Sequence, residues 1–186
     1  MMKKNLLLLF LSGAILFSCN NDENDPYLIT NTQIGKLKRE TQLNQLDSIF
    51  KEDSITSQTS GAEQLRSTDE IRVYEKGGQP LLYLEPLQEF DSTSTIGYIR
   101  VMDSRYETKE GLNVSSTFKD IVTHYNISRI ENTMTSAVIF LDDINAYVTI
   151  DKKELPSSLR YDTEAKIRAS QIPDEARIKY FMIYWN

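Results

Sequence analysis

The chain has 186 residues, 40% of them hydrophobic and 26% charged, with a formal net charge of −6. That is enough apolar material for one ordinary core, and the acidic balance argues against nucleic acid or anionic lipid head groups as partners, since both select a basic face. A single cysteine and a single histidine exclude an internal disulfide, a CxxC site and any multi-histidine metal centre.

Lys3 and Lys4 precede Leu6–Phe17, an apolar run interrupted only by Ser12 and Gly13. At ~1.5 Å per residue this run would reach roughly 18 Å as a helix, short of the ~30 Å hydrocarbon core. Residues 1–18 therefore have the build of an export signal, not of a membrane span. The run closes on Leu16-Phe17-Ser18-Cys19. This resembles the bacterial lipobox, with an aliphatic residue, a small residue and Cys at the expected places around the cut. The resemblance implies a lipoprotein cleaved before Cys19 and held to a membrane by lipid on that sulfur. Asn20–Pro26 contains no apolar residue, so residues 19–28 are expected to form a flexible acidic tether. An acidic cluster directly after the lipidated cysteine resembles the export signal of Bacteroidota lipoproteins. That implies a lipid anchor in the outer membrane, on its periplasmic or cell-surface face.

Residues 29–186 are expected to form one α+β domain. Thr41–Phe50 and Thr117–Tyr125 place apolar residues on one helical face: Leu43, Leu46, Ile49 and Phe50 in the first, Phe118, Ile121, Val122 and Tyr125 in the second. Each opens on a threonine suited to cap the first turn, with Asn44 or Asp120 three residues later. Gly35 precedes Thr41 by the same spacing that separates Gly111 from Thr117. Strand-like runs follow each helix: Ile71–Glu75, Leu81–Glu85 and Ile96–Met102, then Ala137–Leu141, Ala146–Ile150 and Arg177–Trp185. Gly77-Gly78 and Asp142–Asn145 supply hairpin turns. The pattern predicts an antiparallel sheet with two helices on one face, built from a helix-β-β-β unit given twice. Lys51–Glu70, rich in Ser, Thr and Gln, is expected to be a long loop (51–70). Arg177–Trp185 is expected to be an exposed aromatic strand.

The segment from Ile96-Gly97 through Thr108-Lys-Glu-Gly111-Leu112-Asn-Val114 to Thr117-Phe118-Lys-Asp120-Ile121 resembles a motif of the sigma-E-regulated lipoprotein family. A similar pattern occurs in outer-membrane assembly lipoproteins whose fold is like β-lactamase-inhibitor protein. These resemblances imply a lipid-anchored, non-enzymatic α+β domain, and they carry over no functional residue.

Chemistry-bearing constellations are sparse. His124 lies beside Tyr125, off the main apolar stripe of the second helix, and a general base needs a partner that sequence does not supply. Asp142-Asp143 and Asp22, Glu23 and Asp25 are the densest acidic groups, and neither has the alternating ligand spacing around a glycine turn that calcium requires. No catalytic, cofactor-binding or metal residue is therefore assigned. Asp53-Ser54-Ile55 and Asp91-Ser92-Thr93 resemble the Asp-Ser/Thr O-glycosylation motif of Bacteroidota envelope proteins, making Ser54 and Ser92 candidate glycan sites on expected loops. A related triplet at Ser48 falls inside a predicted helix. The expected function is an envelope binding or scaffold module whose partner is an envelope protein or a glycan. The alternative is a hydrolase using His124 as general base.

Lipidation is directly testable. Metabolic labelling with a fatty-acid precursor should mark the wild-type chain, and Cys19→Ala should lose both label and membrane association. Each buried methylene of an acyl chain contributes ~0.8 kcal/mol, so two or three chains anchor far more firmly than one. A Cys19→Ala chain that stays on membranes would remove the anchor from this cysteine.

Overall fold

The computed structural model describes residues 25–58 and 70–185. The expected signal (1–18), Cys19, and the acidic residues Asp22 and Glu23 lie outside the described residues. In chain order the elements are β1 (Leu28–Ile29), β2 (Gln33–Ile34), β3 (Leu37–Lys38), a 3-10 turn (Leu43–Gln45) running into α1 (Leu46–Ile49), β4 (Ser54–Gln58), β5 (Glu70–Tyr74), β6 (Pro80–Pro86) and β7 (Ile96–Val101). They continue with β8 (Glu107–Thr108), α2 (Phe118–His124), β9 (Arg129–Asn132), β10 (Ser136–Leu141), β11 (Ala146–Asp151), α3 (Ser157–Arg160) and β12 (Ile178–Tyr184). Among the described residues, no helix is long and apolar enough to cross a membrane.

The strands form two sheets. A small one has the order β3-β2-β1-β8, and a large one the order β4-β5-β6-β7-β12-β11-β10-β9. All pairings in the large sheet are antiparallel. Because side chains alternate along a strand, register decides which face each residue takes. Ile71 and Val73, Leu82 and Leu84, Ile99 and Val101, Phe181 and Ile183, Val148 and Ile150, and Ala137 and Ile139 all fall on one face. They merge there with Leu46, Phe50, Phe118 and Ile121 into a single buried cluster. The fold is α+β, with both helical segments on the core face of the sheet.

The two halves match at the level of backbone hydrogen bonds. Gln42 caps the first helical segment, its N–H donating to Gln45 Oε1 at 2.9 Å, and Thr117 caps α2, its N–H donating to Asp120 Oδ2 at 2.7 Å. Gln42 bridges to Thr95 and Thr117 to Arg177, in each case the residue just before the last strand of its half. The Leu43 and Asn44 N–H groups donate to the Ser94 and Ser92 carbonyls; the Phe118 and Lys119 N–H groups donate to Ala176 and Asp174. The halves meet where β7 pairs with β12, with Val101 opposite Phe181, Arg100 opposite Met182 and Ile99 opposite Ile183. Exchanging Ile99 with Phe181 and Val101 with Ile183 reproduces the same pairs, so an approximate two-fold axis runs through the Arg100–Met182 pair.

Several expectations need correction. Each unit contributes four strands to the large sheet, not three. β4 lies inside the expected loop 51–70, and β9 was not expected at all. Both are edge strands with one apolar residue apiece, Ile55 and Ile130, too few to give an apolar period. The first helical cap is Gln42; Thr41 is instead buried, its Oγ1 accepting from the Lys38 N–H at 3.2 Å, as Ser116 Oγ accepts from Asn113 at 3.1 Å. Ordered structure begins within the expected tether 19–28: Leu28 is in β1, and the Tyr27 ring meets Tyr106 edge-on at 5.1 Å. Val122 is 43% exposed and does not face the sheet. The expected exposed strand 177–185 is the central β12, with Phe181, Ile183 and Trp185 fully buried.

Of the paired landmarks, Gly35 and Gly111 both adopt positive φ, +54° and +81°. At Gly35 a side chain would also be driven into the Pro26 carbonyl, whereas Gly111 has open space.

Ile121 is fully buried and Lys119 exposed. Ile121→Asp places an unpaired carboxylate in the core and should cost several kcal/mol of a total of about 5–15 kcal/mol. Lys119→Asp should shift the thermal midpoint little. Equal midpoints for the two variants would contradict the packing described.

Candidate functional site

The helices cover one face of the large sheet, and the opposite face carries a row of side chains in register across all eight strands. From β4 to β9 it reads Thr56, Arg72, Tyr83, Arg100, Met182, Tyr147, Phe140 and Arg129. At ~4.8 Å between strands the row extends roughly 34 Å. The two-fold axis lies at its centre, so Tyr83 and Tyr147 occupy equivalent places on either side.

The row is held by ring and charge contacts. The Arg72 and Arg100 guanidinium carbons lie 5.0 and 5.4 Å from the Tyr83 ring centre, and Arg100 lies 5.4 Å from the Tyr180 ring. Arg129 sits 3.4 Å over Phe140, whose ring is 5.5 Å from that of Tyr147. Tyr147 stacks at 6.5 Å on Tyr184. Glu70 joins the two arginines, Oε1 accepting from Arg72 Nε at 2.6 Å and Oε2 from Arg100 Nη2 at 3.4 Å. Arg129 Nε pairs with Glu131 at 3.0 Å. Cations Arg72, Arg100 and Arg129 are thus balanced by Glu70, Glu131 and Glu85, and the face is nearly neutral although the chain is acidic.

Electrostatics keep the tyrosines protonated and able to donate. Hydrogen bonding to Tyr74 and then burial raise the Tyr83 hydroxyl, and burial raises those of Tyr147 and Tyr184. Burial, then the charge of Glu70, pushes the Glu85 carboxyl up against the lowering influence of Arg100. Toward the second unit the face carries a shallow, open depression. A trough of about 520 Å³ opens between Tyr98, Arg129, Phe140, Tyr147 and Tyr184, with Asp142 on its rim accepting from the Tyr184 hydroxyl at 3.3 Å.

The residues singled out by sequence lie elsewhere. His124 is exposed in the last turn of α2, on the helical layer, with Asp120 as a charged neighbour. Asp142 and Asp143 sit in a 3-10 turn closed by Asn145 at φ +48°. Asp143 Oδ2 accepts from Asn126 at 3.2 Å. Ser92 is exposed on the β6–β7 link. Ser54 is exposed but lies in edge strand β4, opposite Tyr74, and not on a loop; Ser48 is exposed in α1. Among the described residues, no group of three or more His, Cys, Asp or Glu could hold a metal ion. The alternations Arg72-x-Tyr74, Tyr83-x-Glu85, Tyr98-x-Arg100 and Tyr180-x-Met182-x-Tyr184 are the signal that could have pointed to the row.

No family model matches the chain, and no curated protein does either. Among solved structures the chain is similar to the uncharacterized protein yfeY from Escherichia coli, with a TM-score of 0.51 and 12% identity over 84% of this chain and 98% of that one. At this identity the likeness is one of fold alone, and it is of the α+β kind described above.

Glu85 gives a pH test of the face. Its folded pKa is raised, so the native state holds the proton more tightly than the unfolded chain. Wild-type stability therefore falls as pH rises from the unfolded Glu value of ~4.3 through the raised value. Glu85→Gln removes that loss: it should melt higher than wild type at pH 7–8, with the gap closing below about pH 4. A gap independent of pH would show that the carboxylate is not strained by burial.

Proposed function

We propose that the protein is a lipid-anchored envelope lipoprotein that binds a neutral glycan along the open face of its eight-stranded sheet. The observation that carries this reading is the row from Arg72 to Arg129, in which three aromatic rings, Tyr83, Tyr147 and Phe140, are flanked by guanidinium groups that carboxylates beside the row balance. Aromatic faces favour the apolar faces of sugar rings, while guanidinium and carboxylate groups at their edges can pair with hydroxyls. A nearly neutral face has little to offer a polyanion, which disfavours nucleic acid and anionic lipid there.

The anchor fits the same reading. At ~3.3–3.6 Å per residue, the stretch from Cys19 to Asp25 reaches roughly 20 Å, so a lipid on Cys19 would hold the domain close to the membrane and its surface glycans. The hydrolase alternative finds less support, since His124 lies on the helical layer and the row on the opposite face.

The test is calorimetric titration of the full chain with purified neutral envelope polysaccharide fragments. Tyr147→Ala and Tyr83→Ala should each weaken binding about tenfold, a loss of about 1.4 kcal/mol, of the order expected for a stacked ring. His124→Ala should leave it unchanged. Absence of saturable binding would count against the glycan reading, as would binding that survives both tyrosine substitutions. Ester, glycoside or peptide hydrolysis that disappears in His124→Ala would favour the enzyme instead.

A further inference from the structure

The two units differ most in the link that precedes their last strand. Residues 87–95 between β6 and β7 contain no lysine or arginine, whereas residues 152–177 between β11 and β12 form a longer excursion that carries six of them against five acids. Asp151 starts it by capping the 3-10 turn Lys152–Glu154, its Oδ1 accepting from the Lys153 N–H at 3.0 Å. Leu155 and Leu159 then plug into the core, and α3 folds back over the end of β11. This brings Lys152, Lys153 and Arg160 together with Lys179 of β12 around an open pocket of about 470 Å³, with the side chains of Thr135 and Tyr161 also on its wall.

Lys152 is only 4% exposed. Its ammonium has three protons to donate, and among the described residues its one hydrogen bond is a long 3.4 Å contact to the Asp162 carbonyl. A buried charge is costly unless paired, yet among the described residues no carboxylate lies within ion-pair distance of Lys152, Lys153 or Arg160. Asp151, the acid on the wall, is taken by Lys179 at 3.0 Å. Arg160 is oriented by its Nε donating to the Leu155 carbonyl at 2.8 Å, which leaves its terminal nitrogens for a ligand. The duplicated framework does not require this cluster, because the first unit folds without a counterpart.

We propose that this pocket is an oxyanion site that takes a phosphate monoester. The Lys152 ammonium supplies the buried point charge, and the Arg160 guanidinium supplies a planar fork matched to two phosphate oxygens. Lys153 adds charge at the mouth, and the pocket is wide enough for a sugar-sized body behind the phosphate. The site is on the excursion after β11 and uses none of the residues of the row, so it stands or falls separately from the glycan reading.

The experiment is titration of the full chain with glucose 6-phosphate and with glucose at fixed ionic strength, alongside flotation with phosphatidylcholine vesicles with and without phosphatidic acid. Saturable one-to-one binding of glucose 6-phosphate and not glucose supports a soluble source of the phosphate. Binding confined to vesicles that contain phosphatidic acid supports a lipid source. In either case Lys152→Met and Arg160→Gln should weaken binding at least tenfold, and Tyr147→Ala should leave it unchanged. Arg160 is exposed, so Arg160→Gln reports on the site even if Lys152→Met fails to fold. The proposal is overturned if neither probe binds, if glucose binds as well as its phosphate, or if Arg160→Gln binds like wild type.

Discussion

The antiparallel seam between β7 and β12 governs the rest of the architecture. Ile99, Val101, Phe181 and Ile183 meet there with almost no exposure, and their register decides which way every other strand faces. A slip of one residue would turn Phe181 and Ile183 toward solvent and bring Tyr180 and Met182 into the core. The observed register instead gives both units the same inside. Both helical segments can then share one apolar layer, with Leu46 and Phe50 in the first matched by Ile121 and Tyr125 in the second.

A sheet covered on one side only leaves the other side to carry chemistry. The equivalent places in the two units have diverged there. Arg72 corresponds to Phe140 and Arg100 to Met182, while Tyr83 and Tyr147 are alike. The first half of the row is therefore guanidinium-rich and pinned by Glu70, and the second is aromatic and hollowed into the trough. Divergence is greater still beyond β11, where the second unit carries the long excursion with its lysine and arginine cluster. The core side shows the reverse trend, since its residues must fill one shared volume and are apolar in both units.

The core strands are legible in the sequence because a half-buried strand leaves alternation in its residues, as in Ile71-Arg-Val73 and Ile99-Arg-Val101. The α2 cap was legible because Thr117 and Asp120 are residue types that bind backbone N–H groups. Gln42 is the less obvious cap, since its neighbour Thr41 has the better capping chemistry but is engaged in a turn. Edge strands β4 and β9 leave little trace in the sequence because a strand with one neighbour and a wet face needs few apolar residues. The alternations hint at the wet face of each strand, but not at the row itself, since its members are far apart in sequence and are aligned only by seven strand registers. Lys152 was equally hidden: Lys-Lys-Glu after a strand looks like a surface turn, and only the folding back of α3 buries its first residue.

The two-fold also has an evolutionary consequence. A single unit ending at β7 would present an unpaired edge whose partner strand is, in register and hand, a copy of itself. Two such units would close the same eight-stranded sheet as a symmetric homodimer, since isologous pairing of β7 with β7 places Arg100 against Arg100 on the axis. In the present chain that like-charge contact is relieved by Met182. Joining the units in one polypeptide holds the second edge at high effective concentration and frees the halves from being identical. Fusion of two such units would give both the symmetry of the scaffold and the asymmetry of what it displays.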